Sequence, residues 1–348
     1  MIDGMSIFVG TIGGGVHVSR NGGGRFKQIF KPVPPEGNVR ALRVDPTDPA
    51  RIWAGSDSGV YRSDDGGARW AFVPSPAAGR QLWSIAVDPT EPERIYVGAQ
   101  PGGFRSVDGG ATWTEMAIPV IDECLVGAPR TASVAVDPRD PAVVWAGVEI
   151  DGVFRSDDHG ATWARCADLG PTPLNGDVHC VAIRPENDGA ATVLVGGPFG
   201  LTRSTDEGKN WELTPLPGFH ERNDAAYCRM VMVKVDDPDT IFVGTGDTIP
   251  GEIGGLRVSR DGGRTWSLAH LPEQPNSVVY WMANHPGRPD VVAAASLYGQ
   301  LFLSADGGRT WEMCRRKFGE IRALAIAPTP VVVRARNERR ETSRRRAS

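Results

Sequence analysis

The stretch Ser63-Asp64-Asp65-Gly66-Gly67-Ala68-Arg69-Trp70 decides the fold of this chain, because it returns six more times with small changes. Each copy starts 43 to 55 residues after the previous one. The other copies occupy residues 19–26, 106–113, 156–163, 204–211, 259–266 and 304–311. A period of this length with a glycine-rich turn and a tryptophan is typical of repeat architectures. The sequence therefore predicts one repeat domain rather than several unrelated ones.

Each repeat predicts four short strands, A to D, as residues 81–119 illustrate. Short runs rich in β-branched and aromatic residues alternate with Gly, Pro and Asp turns. The predicted strands of this repeat are 82–87, 94–98, 103–106 and 113–116. Four antiparallel strands per repeat are typical of a propeller blade.

The first repeat is incomplete, and its missing strand lies at the other end of the chain. Residues 6–30 supply strands B, C and D, whereas residues 321–326 supply an A strand alone. Pairing of the two ends would close the ring and remove exposed sheet edges. The sequence therefore predicts an all-β, seven-bladed β-propeller with four-stranded antiparallel blades over residues 1–330. Residues 331–348, which are rich in arginine, predict a basic and disordered tail.

The aspartate of the repeated stretch is predicted to be structural. Its short carboxylate can accept hydrogen bonds from backbone N–H groups of its own turn. The structural aspartates are Asp65, Asp108, Asp158, Asp206, Asp261 and Asp306. His159 and Glu207 replace the first glycine of the turn, whereas the second is Gly in every copy. We therefore expect a positive φ at the second glycine and a tolerant turn site at the first.

The pattern S-x-D-G-G-x-T-W resembles the Asp-box, or BNR, repeat of sialidases, xyloglucanase-type glycoside hydrolases, Vps10/sortilin ectodomains and photosystem II assembly factors. The Asp88-Pro89 turn and the run 152–156 are most similar to the xyloglucanase and Vps10 groups. The resemblance covers residues 6–327 and implies the propeller fold. The Arg-Ile-Pro motif of sialidases is absent from the sequence. Two-domain xyloglucanases place catalytic carboxylates between two propellers, whereas this sequence predicts a single propeller.

Composition excludes several classes of protein. Net charge is −4 although residues 334–348 contain seven Arg and two Glu, so the propeller itself is acidic and we expect no nucleic-acid partner. We see no signal peptide and no membrane-spanning run, and the five cysteines are scattered without a C-x-x-C pair. We therefore expect a reduced, cytoplasmic protein without a membrane partner. No phosphate-loop or metal-ligand spacing occurs, so we expect no cofactor and no metal.

Candidate catalytic residues lie on the loops that vary in length. Strand order places the B–C and D–A loops on one face, and the long ones cluster on blades four to six. Function tends to lie on variable loops held by a rigid scaffold. The carboxylates there are Glu149, Asp151, Asp177, Glu221 and Asp224. Glycoside hydrolysis needs two carboxylates, and this set could supply an acid with a base or nucleophile. Single carboxylates on loops are more often simply solvated.

Candidate substrate-binding residues lie at the start of each inner strand. Counting back from the A–B turn gives a ring of large polar and aromatic side chains instead of small apolar ones. The ring contains Arg40, Trp83, His179, Tyr280 and Arg322, with Ala132 as its one small member and with Arg229 two residues out of register. Such a ring suits a glycan-like or other polar ligand, although polar channel mouths also occur without a ligand.

Two functions remain open from the sequence. One is a hydrolase that resembles BNR glycoside hydrolases and acts on a glycan-like or other polar substrate at the channel mouth. The other is a non-catalytic propeller that binds a protein partner on the same face, as the resemblance to assembly factors and Vps10 domains implies.

Overall fold

The fold is an all-β propeller of seven four-stranded antiparallel sheets. A computed structural model describes residues 2–124, 127–186, 191–220 and 225–329. One turn of 3-10 helix, Pro173–Gly176, is the only helix in the described residues. No helix in these ranges is long and apolar enough to cross a membrane. The seven-bladed architecture predicted from the repeat is confirmed.

The strands follow the chain in the order A, B, C, D within each blade, with A innermost. Blade 1 contains β1 (Met5–Thr11), β2 (Gly15–Ser19), β3 (Phe26–Gln28) and β28 (Ile321–Pro328). Blade 2 contains β4 (Val39–Val44), β5 (Ile52–Ser56), β6 (Gly59–Ser63) and β7 (Ala71–Val73). Blade 3 contains β8 (Gln81–Val87), β9 (Ile95–Gln100), β10 (Gly103–Ser106) and β11 (Thr114–Glu115). Blade 4 contains β12 (Thr131–Val136), β13 (Val144–Val148), β14 (Gly152–Ser156) and β15 (Ala164–Arg165).

The last three blades repeat the plan. Blade 5 contains β16 (Cys180–Pro185), β17 (Ala191–Gly197), β18 (Gly200–Ser204) and β19 (Glu212–Thr214). Blade 6 contains β20 (Tyr227–Lys234), β21 (Asp237–Gly246), β22 (Gly254–Ser259) and β23 (Ser267–Leu268). Blade 7 contains β24 (Val279–His285), β25 (Arg288–Ser296), β26 (Leu301–Ser304) and β27 (Glu312–Met313). Apolar side chains form a separate cluster between each pair of neighbouring blades.

The ring is closed by the C-terminal strand, as predicted. Strand β28 pairs antiparallel with β1 from Met5–Pro328 to Thr11–Ile321. The hydroxyls of Ser6 and Thr329 lie 3.0 Å apart at the end of this pairing. The first and last segments of the propeller therefore share one sheet. Residues 331–348, predicted as a basic tail, lie outside the described residues.

The repeated stretch forms a turn held by its own side chains. In blade 2, Asp65 Oδ1 accepts hydrogen bonds from Ser63 Oγ at 3.0 Å and from Arg69 N at 2.8 Å. Ser63 Oγ also accepts a hydrogen bond of 2.8 Å from Gly67 N. The corresponding contacts recur at the other five predicted aspartates. In blade 4, hydrogen bonds from Thr162 hold the pKa of Asp158 at about 2.

The positive φ expected at the second glycine is confirmed in all seven copies. Both turn positions have a positive φ, including His159 at 56° and Glu207 at 64° in the first position. At four of the second glycines, Gly23, Gly67, Gly208 and Gly308, an added Cβ would also lie less than 3.0 Å from a side chain of the preceding blade. At Gly67 the added atom would lie 2.5 Å from the ring of Phe8. Close packing between blades therefore adds to the backbone requirement at these four glycines.

Candidate functional site

The mouth of the channel is lined by residues that bulge from the inner strands. In six blades, one residue near the start of strand A has no partner in the ladder with strand B. A β-bulge of this kind bends the strand and re-aims one side chain. The bulge residues are Arg322, Arg40, Trp83, Ala132, Arg229 and Tyr280 in blades 1, 2, 3, 4, 6 and 7. In blade 5, His179 precedes the Cys180–Gly196 pair and occupies the same place.

Arg229 is in register with this ring, so the predicted offset in blade 6 was wrong. The bulge lies between Cys228 and Met230, as in the other blades. Lys234 pairs with Asp237 at the end of the ladder, as His285 pairs with Arg288 in blade 7. Arg229 lies five residues before Lys234, just as Tyr280 lies five before His285. Counting from the aspartates beyond Lys234 therefore misplaced Arg229.

The ring residues of blades 6, 7 and 1 form one hydrogen-bonded network. Arg229 donates to the Tyr280 hydroxyl at 2.5 Å and to the His179 carbonyl at 2.8 Å. Arg322 donates to the same Tyr280 hydroxyl at 2.8 Å and pairs with Glu320. Burial alone would raise the pKa of Tyr280, but the charges of Arg229 and Arg322 hold this pKa below its usual value. Tyr280 and Arg229 are 1% and 6% exposed, so the network lies beneath the surface of the mouth.

His179 joins this network to a carboxylate. Its Nδ1 lies 3.0 Å from the Cys228 carbonyl, so this nitrogen carries a proton and donates. Its Nε2 can therefore accept from the Tyr227 hydroxyl at 2.9 Å. Asp177 Oδ2 lies 3.2 Å from the same Nε2. Asp177 Oδ1 is buried and has no hydrogen-bond partner among the described residues.

Glu149 is the second carboxylate of the mouth. Its Oε2 lies 2.9 Å from Nε of Arg130, and the Glu149 side chain is 16% exposed. Burial raises the pKa of Glu149, the charge of Arg130 opposes this, and the negative charge of Asp177 adds to it. Glu149 and Asp177 therefore lie within electrostatic reach of each other.

Trp83 lies under two guanidinium groups. The guanidinium carbons of Arg40 and Arg130 lie 5.0 Å and 4.6 Å from the Trp83 ring. Arg40 also pairs with Asp57 in the adjacent B–C loop. Because Trp83 is only 8% exposed, it supports these arginines rather than offering a free face to a ligand.

The predicted carboxylates divide into three groups. Glu149 and Asp177 are near enough for the charge of Asp177 to act on Glu149. The structure uses Asp151 elsewhere, because Asp151 Oδ2 accepts a hydrogen bond of 3.0 Å from Ile121 N and its Oδ1 lies 3.6 Å from Arg165. Asp151 therefore fastens the loop before blade 4. Glu221 and Asp224 lie outside the described residues. No group of three or more His, Cys, Asp or Glu side chains that could hold a metal occurs in the described ranges.

Sequence reasoning missed Arg130 and Tyr227. Each lies two residues before the bulge position of its blade, Ala132 and Arg229 respectively. Asp177 stands two residues before His179 in the same way, and alternate residues of an extended chain share one side. This period of two was the signal that could have found them.

These features define an Asp-box β-propeller with a charged and aromatic channel mouth, and comparisons agree with that class. A model of the BNR/Asp-box repeat family matches residues 257–268. A probable oligoxyloglucan-reducing end-specific xyloglucanase of Neosartorya fischeri is 27% identical over a region covering 47% of this chain and 29% of that protein. The chain thus spans less than a third of the length of this relative.

Solved structures share the fold. A GH74 enzyme from Niastella koreensis matches with a TM-score of 0.64 and 20% identity, covering 88% of this chain and 46% of that one. YCF48 bound to D1 peptide matches with a TM-score of 0.57 and 15% identity, covering 88% and 87%. The chain therefore has a seven-bladed propeller fold with a match to the BNR/Asp-box repeat, and it is similar to xyloglucanases.

Proposed function

We propose that this protein hydrolyses a glycan at the channel mouth, with Glu149 as the proton donor and Asp177 as the partner carboxylate. The observation that carries the proposal is the raised pKa of Glu149 beside a second carboxylate. Glycoside hydrolysis uses two carboxyl groups in different protonation states. The resemblance to xyloglucanases supports a glycan as the substrate class.

The surrounding residues have distinct roles in this proposal. Arg130 and Arg322 are 24% and 21% exposed at the side chain and can donate to sugar hydroxyls. The buried Arg229 and Tyr280 act as positioning residues, since their polar atoms are bonded to each other. The Tyr227 hydroxyl is bonded to His179 Nε2, which lies 3.2 Å from Asp177 Oδ2. The structural aspartates of the repeated turns take no part, because they lie on the opposite face.

A protein partner on the same face is a second candidate. Its support is a set of exposed apolar side chains on the B–C and D–A loops. The set contains Ile121, Leu174, Phe199, Ile249 and Tyr298. The fold is also similar to that of YCF48, which has been solved with a bound peptide. A cytoplasmic location belongs to either proposal, with all five cysteines as free thiols.

The test is an activity assay on xyloglucan oligosaccharides and a panel of aryl glycosides. We expect the wild-type protein to release reducing sugar. Glu149→Gln and Asp177→Asn should each lower the rate by roughly two to four orders of magnitude, the range for loss of a general acid or base. Glu115→Gln is the matched control, because Glu115 pairs with Arg80 at 3.3 Å outside the mouth.

Two outcomes would contradict the proposal. One is the absence of cleavage with every glycan tested. The other is cleavage that both mouth variants retain in full. Capture of a peptide partner that is lost on substitution of Phe199 or Tyr298 would favour the second candidate instead.

A further inference from the structure

The central channel beneath the mouth has a volume of about 560 Å³, and the inner strands of all seven blades contribute to its walls. Its lining is largely apolar, with Met230, Met232 and Trp281 partly exposed to the lumen. Polar side chains in the wall are bonded to the wall itself. Ser133 Oγ, for example, accepts a hydrogen bond of 3.0 Å from Val181 N. The cavity has the size and the composition of a small-molecule site.

One charged side chain faces this lumen where the other blades carry uncharged ones. Arg43 is opposite Trp53 in the ladder between β4 and β5. The residues at the equivalent ladder position of the other six blades are Ala86, Ala135, Ala182, Met232, Ala283 and Ala325. All seven residues line the channel. At this level of the channel, the five alanines leave the lumen open around the Arg43 guanidinium.

Arg43 makes no hydrogen bond and no ion pair within the described ranges, although other arginines around the channel do. Burial lowers its pKa, and the charge of Asp45 only partly opposes this. Asp45 is itself occupied, since its Oδ1 accepts hydrogen bonds from Thr47 N at 2.8 Å and Asp48 N at 3.1 Å. The other titratable neighbour, His285, has its pKa lowered by burial and by Arg43. The Arg43 side chain is exposed to the lumen, so its unpaired guanidinium is open to an anionic group that enters the channel.

We propose that the channel binds an amphipathic organic anion, an apolar chain that ends in a carboxylate. The carboxylate is held by the Arg43 guanidinium, whose planar fork matches it with two parallel hydrogen bonds. The apolar chain lies along Met232, Met230, Trp281 and the alanines of the wall, where its surface leaves water. This site lies beneath the mouth and uses neither Glu149 nor Asp177, so it is independent of the proposed hydrolysis.

Calorimetric titration with sodium decanoate and with decanol, both below the concentration at which they aggregate, tests the proposal. We expect wild-type protein to bind decanoate more tightly than decanol. Arg43→Gln should weaken decanoate binding at least tenfold and leave decanol unchanged. Ala182→Phe, which fills the lumen, should weaken both. Arg25→Gln, at an exposed turn, is the control and should change neither.

Two results would overturn the proposal. One is the absence of decanoate binding to the wild-type protein. The other is equal binding by Arg43→Gln and wild type. If Arg43→Gln fails to fold, Arg43→Lys keeps a charge but loses the fork, and unchanged decanoate affinity in that variant would contradict the predicted carboxylate geometry.

Discussion

Arg229 and Tyr280 are bulge residues of neighbouring blades, and a hydrogen bond of 2.5 Å joins the guanidinium of one to the hydroxyl of the other. Arg322, the bulge residue of the next blade, donates to the same hydroxyl at 2.8 Å. One phenol oxygen thus links three successive blades at the channel mouth. The irregular start of the inner strands, rather than the repeated turn, creates the polar ring.

Tyr280→Phe should destabilise the protein by about 1–3 kcal/mol, the usual cost of leaving a buried donor without its acceptor. Equilibrium denaturation measures the effect. Tyr298→Phe, at a residue that is 46% exposed, is the control and should be near neutral. Equal stability of Tyr280→Phe and wild type would contradict the importance of this link.

The same pair predicts a pH dependence. Because the pKa of Tyr280 is lower in the folded protein than in the unfolded chain, its contribution to stability is present above the unfolded value of about 10 and is lost as pH falls through the folded value. The difference in unfolding free energy between wild type and Tyr280→Phe should therefore grow as pH rises from the folded pKa of Tyr280 toward the unfolded pKa of about 10. A difference that shrinks over this range would show that the phenol is not held by the two arginines.

The close approach of neighbouring blades at the bulge predicts a sensitive glycine. A Cβ on Gly98 would lie 2.3 Å from Thr131 O of the next blade. Overpacking of this kind costs about 1–3 kcal/mol, so Gly98→Ala should lower the unfolding free energy by that amount. Gly319→Ala is the matched control, since nothing lies within 4 Å of its added Cβ. A neutral Gly98→Ala variant would mean that the blades can separate freely there.

The repeated turn predicts sensitivity to acid. The pKa of Asp158 is about 2 in the folded protein because of its hydrogen bonds to the turn, against an unfolded value near 3.8. The stability it contributes is present above the unfolded value and is lost as pH falls toward 2. Asp158→Asn keeps the acceptor oxygen, as Asn21 does in blade 1. The difference in unfolding free energy between wild type and Asp158→Asn should therefore become smaller as pH falls from about 4 toward 2. A difference that is independent of pH would contradict the role of the carboxylate.

If Glu149 is the proton donor, the rate of hydrolysis falls as pH rises past its raised pKa. The positive charge of Arg130 lowers the pKa of Glu149 and so partly offsets the effect of burial. Without that charge the pKa of Glu149 rises further, so Arg130→Met should move the alkaline limb of the pH–rate profile to higher pH. Arg80→Gln, outside the mouth, should leave the limb in place. If the alkaline limb does not move in Arg130→Met, that limb reports the titration of a group other than Glu149.

Much of the fold followed from the sequence because the turn that repeats is built from local contacts. Ser63, Asp65 and Gly67 bond within a few residues of each other, so their spacing alone reveals the structure and counts the blades. Closure by residues 321–326 followed from the same count, because one repeat lacked an A strand that the end of the chain supplied.

The mouth was only partly predictable, since bulges depend on pairing between strands. Arg229 was misplaced because the pairing shows that its strand ends at Lys234, before the aspartates from which the count was made. Asp151 and Glu149 stand two residues apart, yet Asp151 bonds a distant loop at Ile121 and Glu149 pairs with Arg130. The partners of each carboxylate come from other loops and blades, so they are fixed only when the ring is assembled.

A crystal structure of the Glu149→Gln variant with a bound xyloglucan oligosaccharide tests the central claim most directly. The variant should bind sugar without cleaving it. We predict that the oligosaccharide lies across the channel mouth, with a glycosidic oxygen within hydrogen-bond distance of residue 149 and a sugar ring beside Asp177. Sugar bound on the face of the repeated turns, or no sugar at the mouth at saturating concentration, would contradict the account.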